Sequence, residues 1–117
     1  MPYFPFFIDI ENKPCLIVGG GKIALHKTKK LLPFSPDITV VSADFCSEIA
    51  HMEHLKLIKR NFKADDTEGM SIVIAATDDE SVNSEVSEIC KEKNILCNVV
   101  DSPEDCGFFF PALVQCG

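Results

Sequence analysis

The 117-residue chain has a single arginine, Arg60, and no apolar run near the roughly 18 residues that cross a bilayer. A membrane-spanning helix is therefore not expected. Positive charge is scarce overall, with 11 Lys+Arg against 18 Asp+Glu and a formal charge of −7. That balance argues against generic binding to DNA or RNA, whose phosphates demand a basic face. The opening Met1-Pro-Tyr-Phe-Pro-Phe-Phe-Ile-Asp-Ile10 lacks the basic start of a secretory leader and turns acidic within ten residues, so none is expected. None of the six cysteines (Cys15, Cys46, Cys90, Cys97, Cys106, Cys116) forms a C-x-x-C pair, which removes zinc-ribbon and thioredoxin-like readings. Their density is below that of disulfide scaffolds, so free thiols and a cytoplasmic location are expected.

What is present is an ordinary globular balance, 46% hydrophobic and 25% charged. The length suits one core, so residues 1–117 are read as a single domain. Five short β-branched runs recur: Cys15–Val18, Ile38–Val41, Leu55–Ile58, Ser71–Ala75 and Ile95–Val100. Several are apolar without alternation, as parallel strands buried on both faces are. Helical spacing fills the gaps. Ile23, Ala24, Lys27 and Leu31 share a face, as do Phe45, Ile49 and Met52, and then Val82, Val86, Ile89 and Cys90. Asp78-Asp-Glu80 signals the start of the last helix, and Pro33 and Pro36 end the first. Residues 61–70 are polar and read as irregular, with a helical turn at most. Phe4–Ile10 reads as a further edge strand and Phe108–Val114 as a last strand, bent at Pro111. Strand–helix–strand alternation gives the expected fold class: α/β, Rossmann-like and doubly wound, with a mainly parallel sheet and helices on both faces.

The motif that carries chemistry is Val18-Gly19-Gly20-Gly21-Lys22-Ile23-Ala24, a G-x-G-x-x-A loop. Such glycines allow a tight turn and let backbone approach a pyrophosphate, while the helix that follows offers its amide end to the negative charge. A plain surface turn would also be glycine-rich. Here, however, the loop follows an apolar strand and opens an amphipathic helix, the context a dinucleotide site requires. Polar clusters end other strands: Ser42-Ala-Asp44, Thr77-Asp-Asp79, and Asn98 with Asp101. In a doubly wound sheet these loops converge on one crevice. Asp78 and Asp79 would cap a helix whatever they bind, whereas Asp101 precedes only the turn Ser102-Pro-Glu-Asp105.

Together, the segments Cys15–Ala24, Ile74-Ala-Ala-Thr-Asp-Asp79, Val82-Asn83, Asn98-Val-Val-Asp101 and Phe109-Phe-Pro111 resemble the N-terminal module of siroheme synthases. These are precorrin-2 dehydrogenases, many of them also sirohydrochlorin ferrochelatases, and the resemblance runs from about Phe4 to Val114. It implies an oxidoreductase of porphyrin and siroheme biosynthesis that oxidises precorrin-2 to sirohydrochlorin with NAD, and inserts Fe²⁺ in fuller members. It also implies site residues. The glycine loop (Gly19, Gly20, Gly21) with Lys22 and Ile23 would hold the phosphates, Ala43 and Asp44 would flank the adenosine ribose, and Thr77, Asn98 and Val99 would line the nicotinamide side. Asp101 matches the family's general acid/base. No metal ligand is assigned.

Two departures from the family pattern are visible. The second strand ends Val41-Ser42 with no acid at the usual ribose position, Asp44 coming two residues late. The sole arginine lies away from that position, which favours NAD over NADP. Set against the family pattern, the chain also stops before the helical region that builds the homodimer and much of the tetrapyrrole site, as an excised domain or a short natural form would. Lys22, Lys27, Lys29 and Lys30 form a basic patch suited to a substrate rich in carboxylates, or a solvated face. A regulatory NAD-binding module without catalysis would use the same loop and would not need Asp101.

Overall fold

A computed structural model describes residues 8–100. Five strands form one parallel sheet: β1 (Pro14–Val18), β2 (Asp37–Ser42), β3 (Lys56–Lys59), β4 (Ile72–Ala75) and β5 (Leu96–Val99). Their spatial order is β3-β2-β1-β4-β5, so the chain reverses direction across the sheet between β1 and β4. That order and the crossovers are the expected doubly wound α/β architecture. In register, Cys15 of β1 lies between Ile38 of β2 and Ile72 of β4, and the pairing runs on to Val18 beside Val41 and Ala75.

Strand alternation sends residues to two cores. Cys15 and Ile17 join Ile38, Val40, Ile72 and Ile74 on one face, against Ala24, Leu25 and Leu31 of helix α1 (Lys22–Leu31) and Ile49 of helix α2 (Ser47–Ala50). Leu16 and Val18 join Val41, Val73 and Val99 on the other, against Val86 and Cys90 of helix α3 (Glu80–Lys93). Central strands buried on both faces need apolar residues throughout, which is why β1 and β4 read as continuous hydrophobic runs.

The expected elements appear with small shifts. Helix α1 buries Ala24, Leu25, Thr28 and Leu31, so its inner stripe lies one residue round from the expected Ile23–Lys27 face. Thr28 is tolerated there because its hydroxyl donates to the Ala24 carbonyl at 2.8 Å. Helix α2 is a single turn, ended at His51, and His54 beyond it is left-handed at φ 70°. Residues 61–70 hold one 3₁₀ turn, Ala64–Thr67, as expected. The expected strand over Phe4–Ile10 falls partly outside the described residues, and Ile8–Ile10 are not in a strand. The strand expected over Phe108–Val114 lies wholly outside them. No helix among the described residues is long and apolar enough to cross a membrane.

Candidate functional site

At the point where the strand order reverses, β1 ends and the glycine loop begins. Gly19 N–H donates to the Val41 carbonyl at 3.0 Å, and Ala76 N–H donates to the Val18 carbonyl at 2.8 Å, which ties the loop to β2 and β4 at once. Gly19 has φ +127°, and a Cβ there would overlap the Ala76 carbonyl oxygen and lie 2.8 Å from its carbon. A Cβ on Gly20 would overlap the Asp44 carbonyl and come within 3.0 Å of Ser42 Oγ and Phe45 Cδ1. The Gly20 carbonyl accepts from Cys46 N–H at 2.7 Å, fixing the loop after β2 against the glycine turn. The fold therefore demands the first two glycines.

Gly21 is different. It has ordinary extended backbone (φ −95°), and beyond its chain neighbours no atom of the described residues lies within 4 Å of where its Cβ would stand. It is also the N-cap of α1, a helix with no side-chain cap and no acidic residue in its first turn. The amide end of α1 is thus uncompensated and uncovered, with Lys22 exposed beside it. An anion is the group that such an end attracts.

A cleft of about 290 Å³ opens over the carboxyl ends of the strands. Val18 and Val41 floor it, with Gly19 on one side and Ser42 and Ala43 at the end of β2. Asn61 and Phe62 close it from the β3–β4 connection, and Thr77, Val82 and Glu85 from β4 and α3. Apolar floor with a few polar groups at the rim is the usual make-up of a small-molecule site.

Two hydrogen-bonded clusters hold these walls. Thr77 is fixed by buried Asn83: Thr77 N–H and Oγ1 donate to Asn83 Oδ1 at 3.2 and 2.8 Å, and Asn83 Nδ2 donates back to the Thr77 carbonyl at 3.1 Å. Asp79 caps α3, accepting from Ser81 N–H at 2.9 Å and from Ser81 Oγ at 2.6 Å. Those two donors hold its carboxyl below the usual carboxylate range. The capping role expected for the acidic pair is the one Asp79 has. On the β3–β4 connection Arg60 grips Asp66 with both guanidinium arms, at 2.9 and 2.6 Å, and donates to the Asn61 carbonyl at 3.0 Å.

Of the expected site residues, Gly19, Ala43 and Thr77 meet in the cleft, and Gly20, Gly21, Lys22 and Ile23 form its adjoining loop and helix start. Asp44 is exposed on the loop after β2, its N–H near Ser42 Oγ (3.4 Å) and its carbonyl against Gly20. Asn98 and Val99 are buried within β5, in register with Ile74 and Ala75, and do not border this cleft. Asp101 lies outside the described residues. Sequence reasoning placed no weight on Asn61, Phe62 or Glu85 and gave Asn83 no role of its own. Only Asn83 had a visible signal, a polar residue on a helical face that otherwise packs inward.

A family model described as "Putative NAD(P)-binding" matches residues 6–112. The chain belongs to this NAD(P)-binding family. Its siroheme-synthase resemblance is equally clear in individual relatives. It is 40% identical to the siroheme synthase of Vesicomyosocius okutanii subsp. Calyptogena okutanii, and 44% identical to that of Pseudoalteromonas translucida. Each alignment takes in 98% of this chain and 25% of the relative. The chain thus spans about a quarter of the length of these curated relatives. The solved structure of SirC, a precorrin-2 dehydrogenase, superposes with a TM-score of 0.81 at 27% identity, over 93% of this chain and 55% of SirC. The residues present fit a nicotinamide dinucleotide: the space at Gly21 and the bare amide end of α1 accommodate a pyrophosphate, and the cleft beside them has room for a nucleoside.

Proposed function

We propose that this chain binds NAD and oxidises precorrin-2 to sirohydrochlorin in siroheme biosynthesis, as the dehydrogenase part of a cytoplasmic enzyme. The observation that carries the reading is the open position at Gly21 on an uncapped helix end, in a chain 40% identical to siroheme synthases. The pyrophosphate would sit on Gly21, Lys22 and Ile23. The adenosine would occupy the cleft over Val18 and Val41, with Ser42 and Ala43 beside its ribose and Asp44 at the loop edge. Thr77, two residues past β4, would stand between the two halves of the site, with Asn98 and Val99 of β5 toward the nicotinamide side.

NAD, when bound, supplies the acceptor for the hydride that leaves the macrocycle. The chain must supply the rest. Asn83 holds Thr77 in one orientation through three hydrogen bonds, so the wall nearest the reacting end does not rearrange on binding. The proton lost with the hydride needs an acceptor, and Asp101, just past β5, has the chemistry for it. The same carboxylate could take pyrrole protons if Fe²⁺ is inserted into the product in a fuller, homodimeric form. Lys22 at the helix start adds local positive charge toward a substrate bearing many carboxylates, within a chain of net charge −7.

The test is optical. Chain, NAD⁺ and precorrin-2 together should give the absorbance of sirohydrochlorin, and omission of NAD⁺ should abolish it. NAD⁺ binding with no turnover, even with the helical region of the relatives joined on, would leave a regulatory dinucleotide module instead.

A further inference from the structure

Glu85 is the one charged residue among the described residues that border the cleft. It lies on α3, one helical turn after Val82 on the same helix face, and borders the same cleft as Ser42 and Ala43. No lysine or arginine borders the same space. The cation nearest in sequence, Arg60, is committed to Asp66 through both arms and to the Asn61 carbonyl. Lys63, on the same connection, is exposed and not part of the lining. Among the described residues, the lining of the cleft is therefore uncharged apart from the Glu85 carboxylate.

We infer that Glu85 is a specificity-determining residue that excludes a 2′-phosphate, and so makes the site select NAD against NADP. The inference rests on the dinucleotide reading proposed above. In a doubly wound sheet the adenosine ribose lies at the end of the second strand, where an acid ordinarily accepts its 2′-hydroxyl. That position is Ser42 here, which carries no charge. Glu85 is the acid that shares the cleft with Ser42. Glu85 and Ser42 border the same cleft of about 290 Å³, so a phosphate carried on that ribose would enter a space whose one charged side chain among the described residues is a carboxylate. A carboxylate is acceptor-only: it can take hydrogen bonds from ribose hydroxyls or an adenine amino group, but it repels a phosphate. Discrimination of this kind comes from penalising the wrong ligand as much as from holding the right one.

The experiment is a calorimetric titration of the chain and two variants, Glu85→Gln and Glu85→Lys, with NAD⁺ and NADP⁺. ADP-ribose and 2′-phospho-ADP-ribose serve as probes of the adenosine half alone. The chain should bind NAD⁺ at least tenfold more tightly than NADP⁺. Glu85→Gln should shift the ratio of the two affinities toward NADP⁺ by about tenfold, and Glu85→Lys by about a hundredfold, the change expected when a screened repulsion becomes an attraction. The fragment pair should show the same shifts. Glu85 is exposed, so both variants should keep their melting temperature, and a melt confirms that they are folded. A ratio that moves less than twofold in both variants, with NAD⁺ still bound, overturns the role of Glu85 alone. A chain that binds neither dinucleotide overturns the dinucleotide reading itself, and this inference with it.

Discussion

Gly19 and Gly21 stand two residues apart in one loop and owe their identity to different causes. Gly19 answers to the protein: a left-handed backbone and the Ala76 carbonyl leave no place for a side chain. Gly19→Ala should therefore cost several kcal/mol of stability, read as a lowered denaturation midpoint, whether or not a ligand is present. Gly21 answers to none of the described residues, so its lack of a side chain points outward, to a ligand. The cysteines make a related contrast. Burial, with the Asp37 charge adding, pushes the Cys15 thiol up to about 11, so it stays protonated and unreactive at neutral pH. No disulfide joins Cys15, Cys46, Cys90 and Cys97, the cysteines among the described residues. Dithiothreitol should leave the melting temperature unchanged, and a drop of several degrees would reveal a disulfide. Asp101 is the residue we propose for the chemistry, as distinct from binding. In a protein that carries the helical region of the relatives, Asp101→Ala should lower precorrin-2 turnover by roughly 10²–10⁴ while NAD⁺ affinity moves less than about threefold. An Asp101→Asn variant with full activity would make the residue part of the Ser102-Pro103 turn and not of the reaction.

At the level of elements, what could be read from sequence was whatever repeats locally. The five strands appeared within a residue or two because apolar runs buried on both faces leave a plain signal, and α1 and α3 followed from their spacing. The misses are all places where tertiary partners override periodicity. Thr28, Asn83 and Ser87 are polar yet buried, and Thr28 and Asn83 can be so because each meets a backbone or side-chain partner. Helix α2 shrank to one turn because its spacing offered only Ile49 a fully buried place. The wall formed by Asn61, Phe62 and Glu85 comes from three-dimensional convergence, which no window of residues displays. Arg60–Asp66 belongs to the same class, and it gives the β3–β4 connection a pH signature. The Arg60 guanidinium, with the Lys63 N–H (2.8 Å), holds the Asp66 carboxyl below its ordinary range. A lowered folded pKa contributes stability that is present above the unfolded value near 4 and lost as pH falls through the folded one. Asp66→Asn should cost about 1 kcal/mol at pH 7, discounted for the part-exposed arginine, and should flatten the loss of stability below pH 4. An unchanged acid profile would contradict that linkage. The end of α3 offers a simpler check. Asn94 takes the left-handed position (φ 59°) that closes the helix, so Asn94→Ala should lose about 1 kcal/mol and Asn94→Gly should lose little or none.

On the scale of the whole molecule, strand order decides where function goes. Because β1 and β4 are neighbours and lead to opposite faces, their carboxyl ends part to leave a crevice, and the glycine loop, the end of β2 and Thr77 all open into it. The chain spans only a quarter of the length of the siroheme synthases it matches, and the residues proposed to hold the cofactor lie within it, so cofactor binding can be tested on it directly. The most direct measurement is a calorimetric titration with NAD⁺ of the chain and of Gly21→Val, with a thermal melt of each. The chain should bind NAD⁺ with a one-to-one isotherm. Gly21→Val should stay folded and melt only a few degrees lower, the cost of a β-branched N-cap, since no described residue occupies that space, yet bind NAD⁺ at least about a hundredfold more weakly, about 2.7 kcal/mol. Equal NAD⁺ affinity in the two proteins, both folded, would contradict the dinucleotide site.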